Sequence, residues 1–202
     1  MNKPKINGLI VAAGLSGRMK SFKPLVDYKG KPFIINIVLK LEVICDQIFI
    51  VTGHEADELK TSVINDLTKA NQTELLKKIF FVYNDSFQKG MFTSLQKGIS
   101  AAKNYDWILY HFVDQPGLPI DFYPNFINQI DLNYNWIQPS YKNKSGHPIL
   151  IKSDLLDLII NASEDSILKE ISKSPEVKKK YWGCNYKEIF QDIDTEEDYS
   201  KL

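Results

Sequence analysis

Ile6-Asn7-Gly8-Leu9-Ile10-Val11-Ala12-Ala13-Gly14-Leu15-Ser16-Gly17-Arg18-Met19-Lys20-Ser21-Phe22-Lys23-Pro24-Leu25 carries the signal from which the rest of the chain can be placed. Ile6–Val11 is a short apolar run of the length of a buried strand. It passes directly into Ala12–Pro24, rich in glycine, serine and basic side chains, which predicts a loop. In an open α/β sheet, ligands bind beyond the carboxyl ends of strands. Ala12, Ala13 and Gly14 are small enough for a flat base or a phosphate to approach the backbone. Gly14 and Gly17 permit positive φ, which lets successive N–H groups converge on an anion. Arg18 and Lys23 add charge where a triphosphate would lie. The loop contains neither Gly-x-x-x-x-Gly-Lys-Ser/Thr nor Gly-x-Gly-x-x-Gly, so it is not a P-loop or a dinucleotide fingerprint. The plainer alternative is a mobile basic loop after a strand.

Outward from this loop, apolar runs alternate with segments of helical spacing. Phe33–Leu41 and Ala56–Leu67 read as helices, Gln47–Thr52 and Lys78–Tyr83 as strands, and Met91–Ala102 as a helix. Trp107–Val113 is a strongly apolar strand, and Leu118–Ile130 is a helix with Pro119 near its first turn. Trp136–Pro139 is another short strand. This rhythm implies right-handed crossovers, and hence an α/β fold with a three-layer, Rossmann-like, mostly parallel sheet. After residue 140 the rhythm changes. Pro148–Ile151 reads as a strand, Leu155–Ile160 and Ile167–Ile171 as short helices, and Glu188–Ile193 as a returning strand. No linker or repeat interrupts the chain. One domain over 1–202 is expected, with a nucleotide-binding part in 1–140 and an acceptor-side part in 141–202.

The 202 residues carry 25 basic and 25 acidic side chains, so no nucleic-acid or membrane partner is expected from charge. Two cysteines and no apolar leader or span predict a reduced, cytoplasmic protein. Arg18 is the only arginine. Its planar fork of donors fits phosphate oxygens better than the point charge of a lysine.

Three further segments carry chemistry. Asp114 closes the strand before Gln115-Pro116, where a carboxylate can hold Mg²⁺ or cap the following turn. In an extended Glu188–Ile193 segment, Asp192 and Asp194 would face the same way and call for a cation between them. Thr195 with Asp198 also reads as a helix cap, and both roles can coexist. Asn84 to Leu95 crosses from strand to helix, placing Ser94 in the first turn. Gly146-His147-Pro148 precedes a strand, and His147 is either structural or a substrate contact.

Together these segments resemble the molybdenum cofactor nucleotidyltransferases, with the cytidylyltransferase branch that makes molybdopterin cytosine dinucleotide the closer match. The resemblance spans nearly the whole chain. It rests on Ala-Ala-Gly-x-Ser-x-Arg-Met with downstream Lys-Pro-Leu, on Asn84 with Gly90-Met91-x-Thr93-Ser94-Leu95, on Asp114-Gln115-Pro116, on Gly146-His147-Pro148 and on Asp192-Ile193-Asp194-Thr195, all in the family's order. It implies that Arg18, Lys23 and Asp114 are catalytic. Nucleotide would be bound by Ala12, Ala13, Gly14, Ser16, Gly17, Arg18, Lys23, Asn84 and Ser94, and the acceptor by His147. Mg²⁺ would sit on Asp114 with Asp192 or Asp194. Ala13 belongs to the cytosine type of loop, which implies CTP rather than GTP, with a molybdopterin-type phosphate acceptor and a molybdoenzyme as downstream partner.

Two departures stand out. Lys20 occupies a position that is usually glycine in the family. Ala162-Ser163-Glu164-Asp165-Ser166-Ile167-Leu168 replaces a Gly-Asp-x-Gly-Ala-Arg-like segment and lacks its arginine. That second change bears on the acceptor. It leaves open a guanylyltransferase, a sugar-phosphate nucleotidyltransferase, or a non-catalytic nucleotide-binding partner of a molybdoenzyme.

Overall fold

Ile6–Val11 forms a strand, β1, buried along its whole length. The computed structural model describes residues 3–19 and 21–201, so Lys20 lies outside the described residues. After β1 come the two-residue strands β2 (Asp27–Tyr28) and β3 (Lys31–Pro32), then α1 (Phe33–Leu41), β4 (Gln47–Thr52), α2 (Ala56–Lys69), α3 (Thr73–Lys77) and β5 (Ile79–Tyr83). Next are α4 (Met91–Ala101), β6 (Trp107–Phe112), α5 (Phe122–Ile127), β7 (Trp136–Tyr141), β8 (Lys144–Ser145) and β9 (Ile149–Lys152). The chain ends with α6 (Leu156–Ile160), α7 (Leu168–Ile171), β10 (Lys179–Gly183) and α8 (Glu196–Ser200).

The main sheet has the order β10-β7-β9-β6-β1-β4-β5, with β8 beside β7. β1 pairs in parallel with β4 and β6, and β4 with β5. β9 runs antiparallel between β6 and β7, and β10 is parallel to β7. The chain moves from β1 outward through β4 to β5, then returns to lay β6 on the other side of β1. That reversal opens a crevice at the carboxyl ends of β1 and β6, the place where open α/β sheets bind ligands.

Alternating side chains of the strands feed two cores. Ile6 and Ile10 pack with Phe33, Val38 and Phe122 on one face of the sheet. Leu9 and Val11 pack with Leu95, Ile99 and Ile159 on the other. The result is the expected three-layer α/β arrangement. Buried His111 fixes β6 to α5, with one ring nitrogen 2.9 Å from Tyr123 Oη and the other 2.7 Å from the Phe112 carbonyl. Desolvation pulls its pKa down to about 3, so it stays neutral.

Several expectations are corrected. Glu188–Ile193 is not a strand: Lys187–Phe190 is a 3-10 turn, followed by an irregular segment. The helix expected over Leu118–Ile130 contracts to α5, because Pro119 and Gly117 shape a turn before it. Ile167 caps α7 instead of belonging to it. The edge strand β10, Lys-Lys-Tyr-Trp-Gly, was not expected, nor were α3 and the β2–β3 ribbon.

α4 lies close to the sheet because Gly98 has no side chain. A Cβ there would sit 2.2 Å from Leu9 Cδ1 and 2.8 Å from Val51 Cγ2. Gly98→Ala therefore gains up to about 1 kcal/mol in helix propensity but loses roughly 1–3 kcal/mol to overpacking. A net loss of stability is expected in urea unfolding; a net gain would show that α4 rides free of the sheet.

Candidate active site

The loop after β1 is held by its own backbone. The Ala12 N–H donates to the Val51 carbonyl at 2.9 Å, and the His54 N–H to the Ala13 carbonyl at 3.2 Å. These bonds continue the β1–β4 pairing and keep Ala12 and Ala13 buried beneath the crevice. Beyond them, the residue in the left-handed region is Ser16, with φ 54°, and neither Gly14 nor Gly17 adopts positive φ. Ser16 folds the loop back: its carbonyl accepts from the Met19 N–H at 2.9 Å and its Oγ from the Lys23 N–H at 3.0 Å. Lys23 then opens a 3-10 turn with Pro24, which buries its stem and aims its ammonium inward.

Two carboxylates from distant parts of the chain meet at that ammonium. Lys23 Nζ makes an ion pair with Asp194, and lies 3.7 Å from Asp114 Oδ2. Arg18 Nη2 reaches the other oxygen of Asp194 at 2.6 Å, with its side chain largely in solvent. Asp114 follows β6, and its carbonyl accepts from the Ile193 N–H at 2.9 Å. Gln115, fully buried, donates to Asp192 Oδ1 at 2.7 Å and to the Ile189 carbonyl at 3.4 Å. The 3-10 turn and the irregular stretch after it, to Asp194, are thus clamped onto the end of β6. Gly146 permits this approach, since a Cβ there would meet the Ile189 carbonyl at 2.4 Å. Thr195 and Asp198 form the expected reciprocal cap of α8.

Three carboxylates and two cations therefore share one edge of a cleft of about 440 Å³. Burial pushes the Asp114 carboxyl up to about 6, and the neighbouring Asp192 and Asp194 push the same way against the pull of Lys23. Asp192 is raised as well, first by desolvation. Asp114 Oδ1 is buried with no hydrogen-bond partner. A buried carboxylate oxygen facing further carboxylates is a fitting ligand for a hard divalent cation. Among the described residues, no group of three or more His, Cys, Asp or Glu side chains could hold a metal by itself.

Of the residues singled out in the sequence, Ala12, Ala13, Gly14, Ser16, Arg18, Lys23, Ser94, Asp114, Asp192 and Asp194 line this cleft. Gly17 does not, and Asn84 lies behind it. The Asn84 amide donates to Thr93 Oγ1 and Ser94 Oγ, both at 3.0 Å, bracing the end of β5 against the start of α4. His147 lines an adjoining pocket of about 380 Å³ that shares Gly90, Met91 and Phe112 with the cleft. Its ring packs on Phe112 at 4.2 Å, its Nδ1 is buried without a partner, and burial holds its pKa near 4. Phe87, Gln88 and Met91 complete the cleft wall. Met91 belongs to the motif read in the sequence; nothing local marks Phe87 and Gln88, which reach the cleft from the 3-10 turn before α4.

The chain matches the MobA-like NTP transferase domain over residues 8–179. It belongs to that family. The transferase is 27% identical to the molybdenum cofactor cytidylyltransferase of Escherichia coli (strain K12), over 96% of this chain and 93% of that protein. It is 24% identical to the nicotine blue oxidoreductase of Paenarthrobacter nicotinovorans, over 98% and 97%. Its fold is shared with a nucleotidyl transferase from Methanothermobacter thermautotroptrophicus at TM-score 0.79 and 21% identity, covering 98% of this chain and 95% of that one. The transferase is thus a nucleotidyltransferase-type enzyme. Among its described residues no helix is long and apolar enough to cross a membrane.

The crowded carboxylates predict a measurable strain. With its pKa raised from 3.8 to about 6, folded Asp114 keeps a proton between about pH 4 and 6 that the unfolded chain has lost. Its contribution to stability therefore falls as pH rises through that window. In metal-free buffer at pH 8, Asp114→Asn should be more stable than the parent by roughly 1–3 kcal/mol, and the two should converge near pH 4. A variant that is less stable at pH 8 would contradict this.

Proposed function

We propose that the transferase moves CMP from CTP to a phosphate-terminated acceptor of the molybdopterin type and releases pyrophosphate. The observation that carries this reading is the meeting of Arg18 and Lys23 with Asp114, Asp192 and Asp194 beside the small-residue floor Ala12–Gly14. The length-wide similarity to the cytidylyltransferase of Escherichia coli supports the choice of reaction.

In this reading the base lies on Ala12 and Ala13, against the exposed side chains of Leu15 and Met91. The triphosphate competes with Asp194 for Arg18 and Lys23. An oxygen of the acceptor phosphate attacks the α-phosphorus; the new P–O bond forms as the bond to the β-phosphate breaks. The acceptor is already anionic, so no strong general base is required, and alignment with charge neutralisation does the work. Arg18 and Lys23 take up charge growing on the departing pyrophosphate. Asp114, with Asp192 or Asp194, would hold Mg²⁺, which when bound screens the phosphates and draws acceptor and nucleotide together.

Residues 141–202 would supply the acceptor side. There, His147 Nδ1 offers a polar contact beside Tyr110 and Phe112, and Lys89, paired with Glu164 at 2.6 Å, lines the same pocket. Lys89 can stand in for the arginine that the 162–168 segment lacks.

The test is pyrophosphate release with CTP, Mg²⁺ and Mo-molybdopterin, run against GTP and sugar phosphates. Release is expected with CTP only when the acceptor is present. Asp114→Ala should remain folded and lose about a thousandfold or more in turnover. Lys89→Ala should raise KM for the acceptor and spare kcat. Near-normal turnover by folded Asp114→Ala sinks the assignment, and release with a sugar phosphate in place of the pterin would move it to another acceptor.

A further inference from the structure

A second cavity, of about 790 Å³, shares no lining residue with the catalytic cleft. Its wall includes Gly117–Pro119, just beyond the Asp114 turn, and four lysines: Lys29, Lys40, Lys187 and Lys201. Glu188 is the one acidic side chain on that wall. In a chain of zero net charge this is a marked local excess of positive charge.

The lysines are not neutralised by neighbours in the usual way. Lys201 pairs with Glu197 at 2.6 Å, but among the described residues Lys29, Lys40 and Lys187 make no ion pair. Lys29 Nζ lies 5.1 Å over the Tyr28 ring. Lys40, half-buried in the last turn of α1, donates to the Pro116 carbonyl at 2.5 Å. Desolvation, aided by Lys29, pulls its pKa down to about 8. A half-buried ammonium whose one acceptor is a carbonyl gains from an anion. Lysines are point-charge phosphate binders, and several around one cavity suit neighbouring phosphate groups better than a single carboxylate. Tyr28, Leu118 and Phe190 give the remainder of such a ligand an apolar wall.

We propose that this cavity is a second anion site, for a small molecule bearing two or more adjacent phosphate groups, separate from the site of nucleotidyl transfer. Inorganic tripolyphosphate in EDTA is the probe, titrated calorimetrically into the full chain. Lys23→Gln, which keeps the packing of the stem, removes the main cation of the cleft. Binding should persist in that variant. Adding Lys29→Ala and Lys187→Ala, both at exposed positions, should weaken the persisting event by about tenfold or more. Loss of all binding in folded Lys23→Gln, or persisting binding that ignores the two lysines, overturns the proposal. Neither outcome depends on which nucleotide or acceptor the cleft uses.

Discussion

Strand β1 has parallel partners on both edges and packed helices on both faces, so its direction and its end point admit almost no freedom. The position of every polar group at the cleft follows from that. Ala12 and Ala13 are held by backbone bonds to Val51 and His54, and Ser16 turns the loop so that Lys23 comes back beneath it. β6, in register with β1 from Ile6↔Trp107 to Val11↔Phe112, delivers Asp114 at the same level. Leu9 sits at the centre of this frame, and Gly98 is what lets α4 close on it.

The charge arrangement at the end of that frame is unfavourable by itself. Burial raises Asp114, and Asp192 and Asp194 raise it further, while Lys23 supplies the compensating attraction. A fold that needed only stability would place an amide or an apolar side chain there, since buried carboxylates without full pairing are costly. Retaining three carboxylates beside two cations is intelligible if phosphates and a divalent ion are what the site exists to receive. The same segment that carries Asp192 and Asp194 is clamped by Gln115 and the Asp114 carbonyl, so its position does not depend on α8 alone.

What could be read in the sequence was what is encoded locally. The apolar runs of β1, β4 and β6 announce strands buried on both faces, and the loop from Ala12 to Lys23 stands out by its small and basic residues. The 188–193 segment, with Ile189, Phe190 and Ile193 among polar residues, carries no local signal that separates a short strand from a 3-10 turn. Its actual course is set by Gln115 and by the close pass over Gly146, contacts that lie 77 residues and more than 40 residues away in sequence. β10 has no strand signature in the sequence because it is a half-exposed edge strand whose lysines look like loop, which is how edge strands resist unwanted pairing. Gly14 and Gly17 seemed the natural left-handed residues, yet the bend falls on Ser16, whose Oγ bond to Lys23 stabilises it. Asn84 has the right place in the motif but spends its amide on Thr93 and Ser94.

The central claim is that the cleft beside Lys23 and Asp114 selects a nucleoside triphosphate. Calorimetric titration of CTP, GTP, ATP and UTP in the presence of Mg²⁺, on the parent chain and on Lys23→Gln, tests it most directly. The account predicts that CTP binds most tightly and that Lys23→Gln weakens it by about tenfold or more. Equal binding of all four, or CTP binding untouched by the loss of the Lys23 charge, would contradict it.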